Sequence, residues 1–179
     1  SADVLLDYRA RRPIITFDGD HLSDYRPPRL ELSLAHDALG QPFVLLAGYE
    51  PDFAWDAFAE TVVGLAEGLQ VSGITWVHAI PMPVPHTRPI GTTVSGTRTD
   101  LTQAHSVWKP HTQVPATMGH LLELRLAEAG QPVAGFVLPV RHFQPVEGVA
   151  RLTLVGAQHH GALGLALAHG GQCREGHAV

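Results

Sequence analysis

The sequence predicts a doubly wound α/β domain, in which helices alternate with the strands of a mainly parallel sheet. An unbroken apolar run at residues 43–47 and a largely apolar segment at residues 74–80 are typical of strands covered on both faces, as in a parallel sheet. A helical pattern lies between these runs, and residues 43–80 have about the length that a right-handed parallel crossover needs. A second helix followed by an apolar run at residues 133–138 repeats the arrangement.

The first fifty residues predict one short helix and then strands. Apolar residues within residues 3–10 indicate the helix, which Pro13 follows. Residues 13–17 predict a strand that ends at the turn-forming Asp18-Gly19-Asp20. Alternation of apolar and polar residues over 30–34 predicts a half-buried strand, and residues 39–42 then turn the chain.

The next segment predicts a helix with Asp52 as its N-cap. The helix is expected to run from about residue 53 to residue 69, because its apolar residues fall mainly at helical spacings. Asp56 and Glu60 favour the early turns, where the helix dipole stabilises negative charge. Gly68 is expected to begin the end of the helix.

The middle of the chain predicts a strand, an irregular stretch and a helix. Residues 91–97 are rich in β-branched residues, which favours a short strand. Residues 101–114 are interpreted as irregular. Pro115 is placed in the first turn of a helix over 116–129, with Gly130 as its C-cap.

The C-terminal forty residues carry weaker patterns. Residues 152–155 predict a strand, whereas residues 159–168 are apolar but rich in glycine and are assigned no structure. No internal repeat or long linker divides the chain, so residues 1–179 are predicted to form a single domain.

Composition favours a globular cytoplasmic protein and excludes several function classes. Hydrophobic residues make up 45% of the chain and charged residues 16%. The net charge of −5 argues against a nucleic-acid surface, which needs a clustered basic face. No stretch has the roughly twenty apolar residues of a membrane span, and the N-terminus does not resemble a signal peptide. The single cysteine, Cys173, fits a reducing compartment.

The proline-rich loop over residues 80–89 is the leading candidate for a functional site. It follows the carboxyl end of a predicted strand, where open parallel sheets bind ligands. Four prolines restrict the backbone, so His86, Thr87 and Arg88 would be presented with little entropy to lose. These three side chains could bind an anion or transfer a proton, or the loop could be a rigid corner at an interface. We favour structure or an interface over catalysis.

Other catalytic and metal motifs are weak, so we expect no cofactor and no metal. Twelve histidines include no His-Glu-x-x-His pair, and there is no cysteine pair. His120 is interpreted as a surface or hydrogen-bonded residue on its helix. Glu50 and Asp52, which flank Pro51, resemble turn or cap chemistry more than a paired acid and base.

Several motifs resemble the bacterial branch of the proteasome assembly chaperone 2 family, over about residues 3–136. The proline loop is the most specific of them, and a Val114-Pro115 pair that opens a helix is similar too. The motifs are Leu5-Leu-Asp-Tyr-Arg-Ala-Arg-Arg-Pro13, Phe17-Asp-Gly-Asp20, Asp24-Tyr25 with Pro28, Gly48-Tyr-Glu-Pro-Asp52 with Trp55, and Ile80-Pro-Met-Pro-Val-Pro-His-Thr-Arg-Pro89.

The resemblance implies a three-layer α/β/α sandwich with a mainly parallel sheet, similar to nucleoside phosphorylases and hydrolases. It also implies a tendency to oligomerise, without an established enzymatic activity for the bacterial members. Family members usually begin with an additional strand before the segment that matches Asp3. No residues here match that strand, so the sheet is expected to miss one strand unless the sequence is a fragment of a longer chain. Residues 137–179 match poorly, which is read either as divergence or as a shifted reading frame.

Two functional hypotheses follow. The first is a homo-oligomeric binding or assembly module that engages another protein through the proline loop and adjacent surface. The second is an enzyme or sensor for a nucleoside or phosphorylated ligand, with Arg88 holding an anion and His86 carrying a proton. A plainer alternative is that the loop only determines the fold.

Overall fold

The computed structural model describes residues 2–81, 91–106, 109, 111–140 and 162–169. Its elements form a two-stranded hairpin and a six-stranded mixed sheet. In chain order they are α1 (Ala2–Leu5), β1 (Ile14–Asp18), β2 (His21–Arg26), β3 (Leu30–His36), β4 (Pro42–Tyr49), α2 (Trp55–Gly68), β5 (Val71–Pro81), β6 (Thr93–Gly96), α3 (Thr99–His105), α4 (Met118–Glu128), β7 (Val133–Val140) and β8 (Ala162–His169).

The six-stranded sheet has the order β3-β4-β8-β5-β7-β6. Among these described strands only β5 and β7 pair in parallel, so the predicted mainly parallel sheet is not confirmed. Strand direction depends on how the strands are connected, and the spacing of apolar residues carries no information about those connections. A tight turn joins β3 to β4 as an antiparallel hairpin, and β8 enters the centre of the sheet antiparallel to both of its neighbours.

The two strands of the crossover predicted over residues 43–80, β4 and β5, are parallel as predicted, but they do not pair with each other. Because β4 and β5 both run antiparallel to β8, they run parallel to each other. They are separated by one strand rather than hydrogen-bonded together. Their carboxyl ends therefore lie at the same edge of the sheet, and the candidate site lies at this edge.

Helices α2 and α4 pack against each other on one face of the sheet and bury the core there. On the opposite face, α3 is the one described helix in ring contact with the sheet, through His105 and Phe136, whose ring centroids are 6.3 Å apart. Because most of the described strands pair antiparallel, the predicted three-layer sandwich with a mainly parallel sheet is not confirmed. The core side chains are Leu46, Phe58, Ala59, Val62, Ala66, Val71, Ile74, Trp76, Met118, Leu122, Leu126 and Val133.

Sequence reasoning placed most of the described elements and missed three. The segment interpreted as irregular, residues 101–114, contains most of α3; β2 was not predicted; and β8 lies in a segment that was assigned no structure. The strand β3 is confirmed, but its side chains are mostly exposed rather than half-buried. The helix over 116–129 is confirmed as α4, with Thr117 as its N-cap and Gly130 at φ +74° just beyond its end. Pro115 precedes the N-cap and so does not lie in the first turn, as was predicted. Residues 152–155 lie outside the described residues.

The start of α2 corrects the assignment of Asp52. The helix begins at Trp55, and its N-cap is Ala54, which has a left-handed φ of 55° and makes no side-chain cap bond. The carboxylate of Asp52 instead accepts a hydrogen bond from the backbone N of Asp7, at 2.8 Å. The carboxylate of Asp52, which local sequence assigns to the N-cap of α2, therefore binds a residue distant in the chain instead.

Candidate functional site

The candidate site lies at the carboxyl edge of β4 and β5, where the first turn of α4 meets the sheet. Glu50 directly follows the end of β4, and His78 lies three residues before the end of β5. Thr117 and His120 belong to the start of α4. We call Glu50, His78, Thr117 and His120 the carboxyl-edge cluster.

The start of α4 is capped by the protein's own side chains. The backbone N of Thr117 donates to His120 Nδ1 at 3.0 Å, and the backbone N of His120 donates to Thr117 Oγ1 at 3.4 Å, which completes a capping box. The carboxylate of Glu50 accepts from the backbone N of Met118. Since a carboxylate already lies at this helix end, the helix dipole is matched internally rather than by a bound anion.

The two histidines of the cluster lie side by side against an indole ring. The ring centroids of His78 and His120 are 5.8 Å apart, and both rings lie within 6 Å of Trp76. Burial lowers the pKa of His78, the nearby His120 lowers it further, and the negative charge of Glu50 opposes the shift. The lowered pKa favours the neutral imidazole of His78, while the Nδ1 of His120 accepts a hydrogen bond from the backbone N of Thr117.

Trp76 fixes the floor of this cluster. Its indole Nε1 donates to Glu123 Oε2 at 2.6 Å, and the hydroxyl of Ser95 donates to the same oxygen at 3.0 Å. Gly119 and Gly135 leave the space that the indole occupies, because a Cβ atom at either position would overlap it. The glycine and tryptophan positions are thus complementary, and the indole is 3% exposed.

The loop that carries Glu50 is held from its other side by the N-terminal segment. Arg11 donates to the backbone O of Glu50 at 2.7 Å and pairs with Asp52 Oδ1 at 3.1 Å. The backbone N of Asp52 donates to the carbonyl of Leu5 at 2.7 Å. Pro51, between the two acids, is fully buried. The loop is therefore a rigid junction between the N-terminal segment and α4.

The structure brings together residues that the sequence did not group. His86, Thr87 and Arg88, the predicted site residues, lie outside the described residues. His120 is confirmed as a hydrogen-bonded residue. Glu50 does have cap chemistry, but for α4 rather than for the helix that follows it. His78 was missed as a candidate; the signal for it is a histidine that shares a face with the buried Ile74 and Trp76 in an apolar strand.

The described residues contain no group of three or more histidine, cysteine, aspartate or glutamate side chains that could hold a metal ion. They also contain no helix that is long and apolar enough to cross a membrane. With its cap bonds made, the carboxyl-edge cluster can order the start of α4, and it also holds the imidazole of His78.

Comparison with known proteins adds family membership. A model of the PAC2 family matches residues 1–165, which extends past residue 136, where the motif resemblance ended. No curated protein gives a significant match.

Solved structures give the same picture of the fold. Rv2714, a Mycobacterium tuberculosis protein of unknown function, is 42% identical with a TM-score of 0.74, and the match covers 79% of this chain and 50% of that chain. A protein of unknown function from Corynebacterium glutamicum is 34% identical with a TM-score of 0.73, covering 79% and 53%. The Mycobacterium tuberculosis proteasome-assembly chaperone homologue Rv2125 is 21% identical with a TM-score of 0.69, covering 78% and 60%. The chain spans 50–60% of the length of these structures.

Proposed function

The chain belongs to the PAC2 family, and from this premise we propose that it is a protein-binding module of the assembly-chaperone kind rather than an enzyme. One solved protein with the same fold is described as a proteasome-assembly chaperone homologue. That description belongs to a protein of which this chain spans 60%, so the partner of this chain is itself part of the proposal.

The observation that carries the proposal is the apolar surface of the β1–β2 hairpin. The two strands pair only with each other among the described strands. Phe17 and Leu22 lie opposite one another and are 71% and 60% exposed. A two-stranded hairpin is marginally stable in water by itself, and adjacent exposed apolar side chains mark interaction sites. The hairpin therefore fits an element that is completed by a partner.

The charges around the hairpin define the chemistry of that partner. Asp18 and Asp20 flank Gly19 at the tip, directly beside the Phe17–Leu22 pair. Asp20 is fully exposed and its near neighbour His21 is 66% exposed. A protein with an apolar pocket rimmed by basic side chains would complement both features.

The carboxyl-edge cluster supports binding over catalysis. The polar atoms of Glu50, Thr117 and His120 that hold the start of α4 are used in structural hydrogen bonds. A side chain that took up or released a proton in catalysis would lose its hydrogen bond to the start of α4. These residues are therefore poorly suited to act as an acid or a base. We further propose that His86, Thr87 and Arg88 present side chains to the partner, and that the protein is a cytoplasmic homo-oligomer.

Affinity capture with matched variants tests the proposal. The double variant Phe17→Ser with Leu22→Ser should lose a protein that wild type retains, because the apolar contact is gone. Leu39→Ser is the control, since Leu39 is 85% exposed but lies in the β3–β4 turn. The captured protein is then purified and titrated against all three by calorimetry. Equal affinity of wild type and the double variant would contradict the hairpin as the binding element.

His78 motivates a second candidate function, a small-molecule enzyme or sensor. It is a neutral imidazole three residues before Pro81, where the proline loop leaves β5. Thermal unfolding with inorganic phosphate and with a nucleoside separates the candidates, because a ligand of the native state raises the melting temperature. A saturable rise that is lost in His78→Gln and Arg88→Ala would favour the small-molecule function. No rise at millimolar ligand favours the binding module.

A further inference from the structure

The edge strand β3 carries an apolar stripe that continues outward from the core. Leu32 pairs with Leu46 of β4, and Leu34 pairs with Val44. Leu46 is buried in the core and Val44 packs against it, so all four side chains lie on the face that α2 covers. Leu32 and Leu34 nevertheless remain 44% and 68% exposed. The core therefore reaches Leu30 at the start of β3 but leaves Leu32 and Leu34 uncovered.

The backbone of β3 is suited to accept another strand. Among the described strands it pairs with β4 on one side and forms the edge of the sheet on the other. Its register with β4 is continuous from Leu30 to His36, without a bulge. It contains no proline or lysine, which are residues that commonly block strand addition at an edge.

We propose that this edge pairs with β3 of a second copy of the chain, antiparallel about a two-fold axis at Ser33. In that register Leu32 lies opposite the partner's Leu34, and the two-fold repeats the pair. Ser33 lies opposite the partner's Ser33, and Glu31 lies opposite the partner's Ala35. The two sheets join into one, with the exposed leucines of both copies gathered on a single face.

Charge complementarity selects both the occupant and the register. Arg29 precedes β3 and Asp37 follows it, so a centre at Ser33 places Arg29 opposite the partner's Asp37 at both ends of the pair. Asp37 is held in place because its carboxylate accepts from the backbone N of Leu39 and of Gln41, each at 2.8 Å. The Arg29 guanidinium is exposed beside Glu31, at 3.3 Å.

Neighbouring registers are less favourable. A centre at Leu34 places Glu31 opposite the partner's Asp37, and like charges directly opposite destabilise a strand pair. A centre at Leu32 leaves Arg29 opposite the partner's Ala35 and removes both charge pairs. A strand is therefore complementary to itself in one register, which is a reason to assign the edge to a second copy rather than to an unrelated strand.

Cysteine cross-linking tests the register directly. Residues opposite each other in an antiparallel pair have Cα atoms about 4.5–5.5 Å apart, which lies within the range of about 4.4–6.8 Å that a disulfide spans. In a Cys173→Ser background, Ser33→Cys should give a covalent dimer on mild oxidation at micromolar protein. Leu39→Cys, six residues away and 85% exposed, is the control and should stay largely uncrosslinked. Equal cross-linking of the two variants, or none in Ser33→Cys, overturns the proposal.

Sedimentation of the otherwise unmodified chain gives an independent measurement. Wild type should sediment as a dimer, and Leu34→Glu should raise the dissociation constant on the order of a hundredfold, because the two-fold places the defect in the interface twice. Leu39→Glu adds the same charge outside the interface and should leave the dimer intact. A monomeric wild type, or equal dissociation constants for the two variants, would contradict pairing through β3. The hairpin variants Phe17→Ser and Leu22→Ser should not change this equilibrium, which separates self-association from partner binding.

Discussion

The carboxyl edge of the sheet and the region formed by β1, β2 and β3 use their side chains in opposite ways. At the carboxyl edge Arg11, Glu50 and Glu123 make hydrogen bonds within the domain. In the β1–β3 region, Phe17, Leu22 and Leu34 are at least 60% exposed. In the first region the polar side chains are already hydrogen-bonded within the domain, while in the second the apolar side chains are free to contact another molecule. This contrast supports the proposal that the exposed apolar surface binds a partner.

The largest effect should come from removing the floor of the carboxyl edge. Trp76→Ala deletes an indole that is 3% exposed and leaves Glu123 without its indole donor. We expect a loss of about 3–5 kcal/mol in the free energy of unfolding, measured by urea denaturation. Val77→Ala on the same strand is the control, since Val77 is 41% exposed, and should cost under about 1 kcal/mol. Similar losses in the two variants would show that the indole is not the structural centre of this edge.

A smaller loss is expected from the junction at Asp52. Asp52→Ala removes the ion pair with Arg11 and the acceptor for the backbone N of Asp7, in a site about one-fifth exposed. Hydrogen bonds to charged groups contribute about 1.5–3 kcal/mol, so we expect roughly 2 kcal/mol by urea denaturation. Glu128→Ala, which breaks the exposed pair with Arg125, is the matched control and should cost about 0.5 kcal/mol or less. If both changes cost the same, the junction is no more than a surface ion pair.

The pH dependence of stability should report His78. Its pKa in the folded protein is lowered from 6.5, so the unfolded chain binds the proton more readily. Stability is therefore fully present above pH 6.5 and is lost as the pH falls from there through the lower folded pKa. His78→Gln should show a smaller loss of unfolding free energy between pH 7.5 and pH 5 than wild type. An unchanged loss would assign the acid sensitivity to other groups.

The smallest effect on stability should come from the exposed hairpin. Phe17→Ser, at a side chain 71% exposed, should change the free energy of unfolding by no more than about 0.5 kcal/mol. The same variant is expected to weaken partner binding, so stability and binding respond oppositely to changes in the two regions. A large loss of stability on Phe17→Ser would show that the hairpin belongs to the core instead.

Sequence patterns predicted the elements whose signal is local. The apolar runs predicted β4, β5 and β7, and the helical spacing with the terminal glycine predicted α4. Asp52 was assigned to the wrong partner because its carboxylate accepts from the backbone N of Asp7, 45 residues away, a contact that local sequence does not indicate. The functional loop predicted at residues 80–89 remains a prediction for His86, Thr87 and Arg88.

By itself, the sequence determined the α/β content, the order of most elements and the family motifs, because these depend on residues close together in the chain. Only the tertiary structure decided that β8 separates β4 from β5, and that Glu50 caps a helix 68 residues away. It also decided that Leu32 and Leu34 of β3 stay exposed. The order of the strands and the position of the helices on the sheet depend on packing between segments distant in the chain. The spacing of apolar residues indicates that a face is apolar, but it does not indicate which element packs on that face.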